Sequence, residues 1–288
     1  MNARNAGPDI VYDKRYPPSM MDFAPVVRAI ETADPDLVFV AWYPPDSVGI
    51  VRAANEVGLS PKVFGGAMIG LSSTNIKMTL GSLLNGIVNH VDFMPAPGFA
   101  FPGLDTLVRR YQAKASAAGI DPLGCEFPPF AYAAGQVLAS AVEATGSLDQ
   151  DRLAAYLRDH SFQTVIGELS FAQDDEWAKT RSPFTQFQHV NGNDLGQFRD
   201  WAKEVVLWPP EYRSGDIIYP YAAASPMRPR GNEARQLLTT GLVRTPQPVI
   251  SIRTSSPGLR NSPRGMPTPA GEPVAKTSPR CSAIWRLR

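Results

Sequence analysis

The stretch from residue 22 to residue 68 constrains the fold most, because two kinds of hydrophobic period alternate in it. "DFAPVVRAIETA" places Phe23, Val26, Val27 and Ile30 on one helical face, with Asp22 as a good N-cap. Asp34-Pro35 stops that helix, since the residue before a proline avoids the α region. "DLVFVAWY" is then a short apolar, β-favouring run, the pattern of a strand covered on both faces. "PPDSVGIVRAANEVG" restarts a helix, with prolines in its first turn and Gly58 just past its end. "KVFGG" is the next short strand. Helix–strand–helix–strand at this spacing predicts an α/β fold with a parallel sheet and right-handed crossovers.

Further along, "NGIVNHVDFMP" reads as another strand. "FPGLDTLVRRYQAKASAAG" is an amphipathic helix with Leu104, Leu107, Val108 and Tyr111 inward and Arg109, Arg110 and Lys114 in water. "PPFAYAAGQVLASAVEATG" is nearly all apolar or small, which predicts a buried helix packed through Ala and Gly. "DQDRLAAYLRDH" is a surface helix capped by Asp149. After it the period changes to two: "FQTVIGELSFA", "FTQFQHV-NGND-LGQF" and "KEVVLWPP" predict antiparallel strands, with Asn191-Gly192 as a hairpin signal. The Asp174-Asp175-Glu176 run reads as a turn between strands.

Composition divides the chain near residue 221. Residues 222–288 hold eleven Lys/Arg, two acids (Glu233 and Glu272) and ten prolines, whereas residues 1–221 hold 17 basic and 25 acidic side chains. Such a tail buries too little apolar surface to offset its ordering entropy, which predicts a disordered basic extension over 222–288 behind a folded 1–221. The tail lacks the aromatic–basic interleaving of a single-strand binder, and the whole chain is nearly neutral at +1, so no nucleic-acid partner is expected. The first 21 residues show no secretory signal. The longest apolar run, Leu37–Tyr43, is far short of the ~20 residues that span a bilayer, so no stable membrane insertion is expected.

Catalytic signatures are missing from the sequence. There is no Gly-x-Ser-x-Gly elbow and no Gly-x-Gly-x-x-Gly fingerprint, and "GGAMIG" (Gly65–Gly70) lacks the lysine of a P-loop. Two cysteines, Cys125 and Cys281, exclude a disulfide scaffold and a Cys-rich zinc site, and His90, His160 and His189 are scattered. Cys125 reads as a small hydrophobe. No catalytic residue, metal site or cofactor is expected. What remains are the strand ends, since ligands of open parallel sheets bind outside the carboxyl ends of the strands. Here those ends are Trp42-Tyr43-Pro44-Pro45-Asp46-Ser47 and Gly65-Gly66-Ala67-Met68. Trp42 and Tyr43 offer a ligand flat, rigid area, or else simply cover the sheet end. The helix start at Asp46-Ser47 offers backbone N–H groups to a carboxylate.

Four segments together, "DFAPVVRAIETADPDLVFVAWYPPDSVGIVRAANEVGL", "KVFGGAMIG", "FAYAAGQVLASAVEA" and "GELSFAQDDEWAK", resemble the leucine/isoleucine/valine-binding proteins of branched-chain amino-acid ABC transporters, which are type I periplasmic binding proteins. The resemblance runs from about Asp22 to Tyr221 in the family's motif order. It implies a three-layer, parallel-sheet lobe architecture in which a ligand is enclosed between two lobes. Here it begins partway through the second lobe and keeps, within Phe99–Asp159, the segment that returns to the first, which implies an incomplete fold truncated at the N-terminus. It also implies a small-molecule ligand, ABC permease subunits as partners of the full-length protein, and a periplasmic location, although the chain as written, without a signal, would stay in the cytoplasm. The implied ligand-binding residues are Trp42, Tyr43, Ser47, Ala67, Met68 and Phe130. Ala67 stands where classical members carry the acid that holds the α-ammonium group, and losing the partner of a buried ammonium costs several kcal/mol. The ligand expected is therefore an amino acid or a related organic acid or amide. A cytoplasmic ligand-sensing module on the same fold is the alternative, and an α/β hydrolase or dehydrogenase a more distant one.

Overall fold

A computed structural model describes residues 9–17, 20–179 and 181–224, and the backbone of 282–286. Its main sheet has seven strands, β1 (Asp9–Lys14), β2 (Leu37–Trp42), β3 (Val63–Met68), β4 (Ile87–His90), β7 (Phe184–Phe187), β8 (Glu204–Trp208) and β9 (Ser282–Arg286). They run in the order β1-β9-β2-β3-β4-β7-β8. β2, β3 and β4 are parallel, as the alternation of helix and strand requires, and β7 and β8 extend the same sheet antiparallel. The short strands β5 (Phe162–Thr164) and β6 (Gly167–Leu169) pair apart from it.

The helices follow from local chemistry. α1 (Ala24–Thr32) starts where Asp22 Oδ1 accepts the Ala24 N–H at 2.9 Å, and ends before Asp34, which takes a left-handed φ of 46° ahead of Pro35. α2 (Pro44–Val57) opens on two prolines already set at helical φ and closes on Gly58 at φ 78°, whose N–H reaches the Ala54 carbonyl. α3 (Thr74–Leu80) leads into β4. α4 (Leu104–Ala115), α5 (Pro128–Thr145) and α6 (Gln150–Asp159) follow, and Asp149 caps α6 by accepting the Arg152 N–H.

Two apolar clusters result. The first joins one face of the sheet (Val38, Val40, Trp42, Phe64, Met68, Ile87) to Val27 and Ile30 of α1 and to Ile50, Val51 and Ala54 of α2. Within it Gly66, at φ 149°, leaves no room for a side chain: a Cβ there would lie 1.9 Å from the Val40 carbonyl oxygen. The second cluster gathers Phe93, Phe99, Leu104, Ala133 and Ile166 with Val206 of β8.

Two expectations need correction. Asn191-Gly192 makes no tight hairpin between strands: β7 ends at Phe187, His189 turns to φ 53°, and the chain returns as β8 only at Glu204. Gln197 organises the intervening loop, accepting the Asn191 N–H and donating to the Gly192 and Asp194 carbonyls. Second, α5 is not a buried helix. It buries the single stripe Pro129, Ala133, Val137 and Ala141, and leaves Tyr132 and Leu138 exposed, because only that stripe meets a neighbour. In addition, "DIVYDK" forms β1, a strand that no period in so short a segment announces. Of the basic tail, residues 222–224 and the backbone of 282–286 are described. Residues 222–224 belong to a 3₁₀ turn, and Ser282–Arg286 pairs antiparallel with both β1 and β2, so its backbone groups are satisfied on two sides. The rest of that tail lies outside the described residues.

Candidate functional site

β2 and β3 end side by side, with Ala41 opposite Ala67 and Trp42 opposite Met68. α2 starts immediately after β2, and Gly70 folds over its first turn so closely that a Cβ there would lie 2.7 Å from Pro44 Cα. The fold therefore brings Trp42, Tyr43, Ser47, Ala67 and Met68 to one end of the sheet. They do not face the same way. Tyr43 is 44 % exposed, Ile69 beside it is exposed and Ala67 is partly so, whereas Trp42, Met68 and Ser47 are buried. Trp42 packs at 5.3 Å from both Tyr16 and Phe23, so its ring belongs to the core. Its indole N–H has no hydrogen-bond partner among the described residues. Ser47 Oγ donates to the Tyr43 carbonyl at 3.0 Å and fixes the turn. Phe130 stands elsewhere, in the second cluster against Phe93 and Trp177.

The start of α2 is a poor anion site. Pro44 and Pro45 have no N–H, the Ser47 N–H is bonded to the Tyr43 carbonyl, and the Asp46 carboxylate occupies the first turn. Asp46 itself accepts the Tyr16 hydroxyl at 2.6 Å in a buried setting.

A polar chain that sequence reading missed runs inward from Met68. The Met68 N–H donates to Asn89 Oδ1 at 2.8 Å, and Asn89 Nδ2 donates back to the Met68 carbonyl at 3.4 Å. The Thr185 hydroxyl sits between the Asn89 carbonyl at 3.3 Å and Glu204 Oε1 at 3.2 Å. Glu204 Oε2 takes the Lys77 ammonium at 2.5 Å. All but Lys77 are buried. Polar residues inside three strand patterns were the available signal, since a buried Asn or Glu needs a partner.

The chain ends at a small pocket of about 40 Å³ lined by Lys77, Glu204, Glu126, Cys125, Ser72 and Trp201. Glu126 Oε1 accepts the Asp92 N–H at 2.9 Å. Burial lifts the Glu126 carboxyl above the usual range, the Ser72 hydroxyl and the Asp92 N–H pull it partly back, and the charges of Asp92 and Glu204 lift it again. Burial, with a smaller push from Asp121, raises the Cys125 thiol to about 11. Asp121 also ties the segment before α5 to α3 by accepting both the N–H and the hydroxyl of Thr74. No group of three or more His, Cys, Asp or Glu side chains suited to a metal occurs among the described residues.

A parallel α/β body with two strand ends side by side is thus joined to a second apolar cluster. The chain belongs to the periplasmic binding protein family, whose model matches residues 1–193. Solved structures agree in fold. A branched-chain amino-acid ABC transporter periplasmic ligand-binding protein from Burkholderia xenovorans LB400 is 19 % identical, with a TM-score of 0.54 over 77 % of this chain and 54 % of its own. An amino-acid ABC transporter substrate-binding protein from Pseudomonas fluorescens Pf-5 is 20 % identical, with a TM-score of 0.52 over 69 % and 52 %. A periplasmic binding protein from Burkholderia mallei is 18 % identical, with a TM-score of 0.51 over 74 % and 54 %. The chain thus spans about half the length of the solved proteins it matches. No curated protein matches it. No helix among the described residues is long and apolar enough to cross a membrane.

Proposed function

We propose that this chain supplies one jaw of a solute-binding protein for an ABC importer, and that the platform at the ends of β2 and β3 receives the solute. In this reading the sheet body, residues 9–91 with β7 and β8, is most of the second lobe, and residues 95–182 are the part of the first lobe that the chain carries. The work is binding without chemical conversion. A solute touching both lobes favours their closed arrangement, which the permease subunits recognise in the periplasm.

The observation that carries the reading is the convergence of exposed Tyr43 with Ala67 where two parallel strands end side by side. The chemistry of the platform narrows the solute. Ala67 has no charge, and the carboxylate of the adjoining turn, Asp46, is held by Tyr16. An ammonium group finds no free anion in that set, so an organic acid or amide fits better than an α-amino acid. Trp42 and Met68 support the platform from beneath rather than touch the solute.

Calorimetric titration of the full chain with matched pairs, each an α-amino acid and its des-amino acid or amide, tests this. Preference for the member without the ammonium group, weakened at least tenfold by Tyr43→Ala, is expected; that factor corresponds to about 1.4 kcal/mol. Equal binding by Tyr43→Ala excludes Tyr43 from the site.

A further inference from the structure

β1 and β2 do not pair with each other. Both run antiparallel to β9, so they run parallel to one another with one strand between them. Neighbouring strands lie ~4.8 Å apart, which puts the two banks about 10 Å from each other, one strand width too far to bond directly. The occupant comes from far along the chain. β9 is joined to β8, the strand before it in sequence, through residues 209–281, so no short connection sets its place. Its backbone does: Ser282 lies between Lys14 and Val40, Ala283 between Asp13 and Phe39, and Ile284 between Tyr12 and Val38.

The banks hold their positions through contacts that do not involve β9. β2 pairs with β3 along its whole length. Tyr12 of β1 packs on the first apolar cluster. Just beyond β1, the buried Tyr16 donates its hydroxyl to Asp46 at 2.6 Å and sets its ring 5.4 Å from Phe23 and 5.3 Å from Trp42. A gap whose two walls are fixed by other contacts, and whose facing N–H and C=O groups need partners, accepts an extended segment by backbone pairing on both edges. The strand that fills it here is short and runs against the direction of its neighbours. It stops at Val40 on β2, so Ala41 and Trp42 pair with β3 and not with β9.

We infer that the space between β1 and β2 is an acceptor site for an extended polypeptide segment, and that Ser282–Arg286 is a displaceable plug that fills it in cis. Recognition is through the backbone. The segment it takes is extended, as long as the Leu37–Val40 run it faces, and free of proline, because its residues bond alternately to the two banks. A strand supplied in trans gains access only as the plug leaves, so the C-terminal segment gates the site. The site stands independently of the strand-end platform, since it uses Leu37–Val40 of β2 and not the residues that follow.

The probe is a fluorescein-labelled peptide of residues 280–288 with Cys281→Ser, added to the full chain and followed by anisotropy. Ile284→Pro in the chain should expel the plug, since proline has no N–H to donate and does not sit in a central strand. The peptide should then saturate the Ile284→Pro chain, bind wild type at least tenfold more weakly because the plug competes, and lose binding when it carries Ile284→Pro itself. Circular dichroism verifies that the variant is folded. A second variant, Asp13→Cys with Ala283→Cys in a Cys125→Ser, Cys281→Ser background, joins a register pair whose β1 member is exposed. Oxidation should give an intrachain disulfide, and the locked chain should bind no peptide. This second variant decides the matter where Ile284→Pro fails to fold. Equal affinity of the peptide for wild type and Ile284→Pro, equal binding of the proline-bearing peptide, or no saturation of the folded Ile284→Pro chain at millimolar peptide each overturns the assignment. A folded, oxidised double-cysteine chain with no disulfide between positions 13 and 283, or with one only between two chains, overturns it as well.

Discussion

The Asn89 side chain brackets the backbone of Met68, accepting its N–H at 2.8 Å and donating to its carbonyl at 3.4 Å. β4 thereby fixes the last residue of β3, two residues beyond their last register pair, Gly66 with Asn89. Asn89→Ala strands a fully buried N–H, and a buried donor left without a partner costs about 1–3 kcal/mol. Urea denaturation should show a lowered midpoint with an unchanged slope. A midpoint equal to wild type would mean that water or a shifted backbone replaces the clamp.

Lys77 and Glu204 form the largely buried ion pair at the inner end of the polar chain. Removing one partner leaves the other charge unmatched, so Lys77→Met should destabilise by about 3 kcal/mol. The double replacement Lys77→Met with Glu204→Leu should recover much of that loss, since the Thr185 hydroxyl keeps the Asn89 carbonyl as its acceptor. A double-mutant cycle measures the coupling, and simple additivity of the two single losses would contradict it.

Glu126 gives a pH signature with a definite sign. Its folded carboxyl holds a proton at higher pH than the unfolded one does, chiefly because it is buried. Through that window the native state binds more protons, so stability falls as pH rises from about 4.5 toward the raised value, then levels off. Glu126→Gln removes this slope. The urea midpoint of the variant relative to wild type should climb across the same window, and a constant difference at all pH values would refute the assignment.

Cys125 should be a slow nucleophile. With the thiol raised to about 11, its thiolate is scarce at mildly alkaline pH. In a Cys281→Ser background, labelling by a disulfide reagent should run roughly a hundredfold slower than for a free cysteine, and recover on unfolding in urea. Native-state labelling at the rate of a free thiol would show that the pocket opens freely.

The sequence made the core of the sheet readable where local chemistry and tertiary partners agree. Pro44, Pro45 and Gly58 punctuate α2 whatever packs on it, and the runs at Leu37–Trp42 and Val63–Met68 are strands because a parallel sheet buries them. α5 was misread because an apolar composition says what a helix can bury, not how many neighbours it has. Asn191-Gly192 was misread because Gly192 does turn, at φ 66°, but His189 has already broken the strand. For the candidate site, the strand ends were legible from the alternation alone. The inward orientation of Trp42 was not, since it depends on Tyr16 and Phe23 closing over the ring. Asn89, Thr185 and Glu204 come from three strands, and no local pattern joins residues so far apart in the chain.

Three of the five tryptophans lie in the two apolar clusters, and a fourth, Trp208 at the end of β8, is exposed. Trp42 is sealed in the first, without a hydrogen bond to its indole among the described residues, while Trp177 and Trp201 are only partly covered in the second. The molecule consequently carries its own optical labels. With Trp208 and Trp285 replaced by phenylalanine, blue-edge emission reports on the sheet body through Trp42 and redder emission on the layer around α4 and α5, so separate loss of the two colours during denaturation would reveal that the halves come apart one after the other.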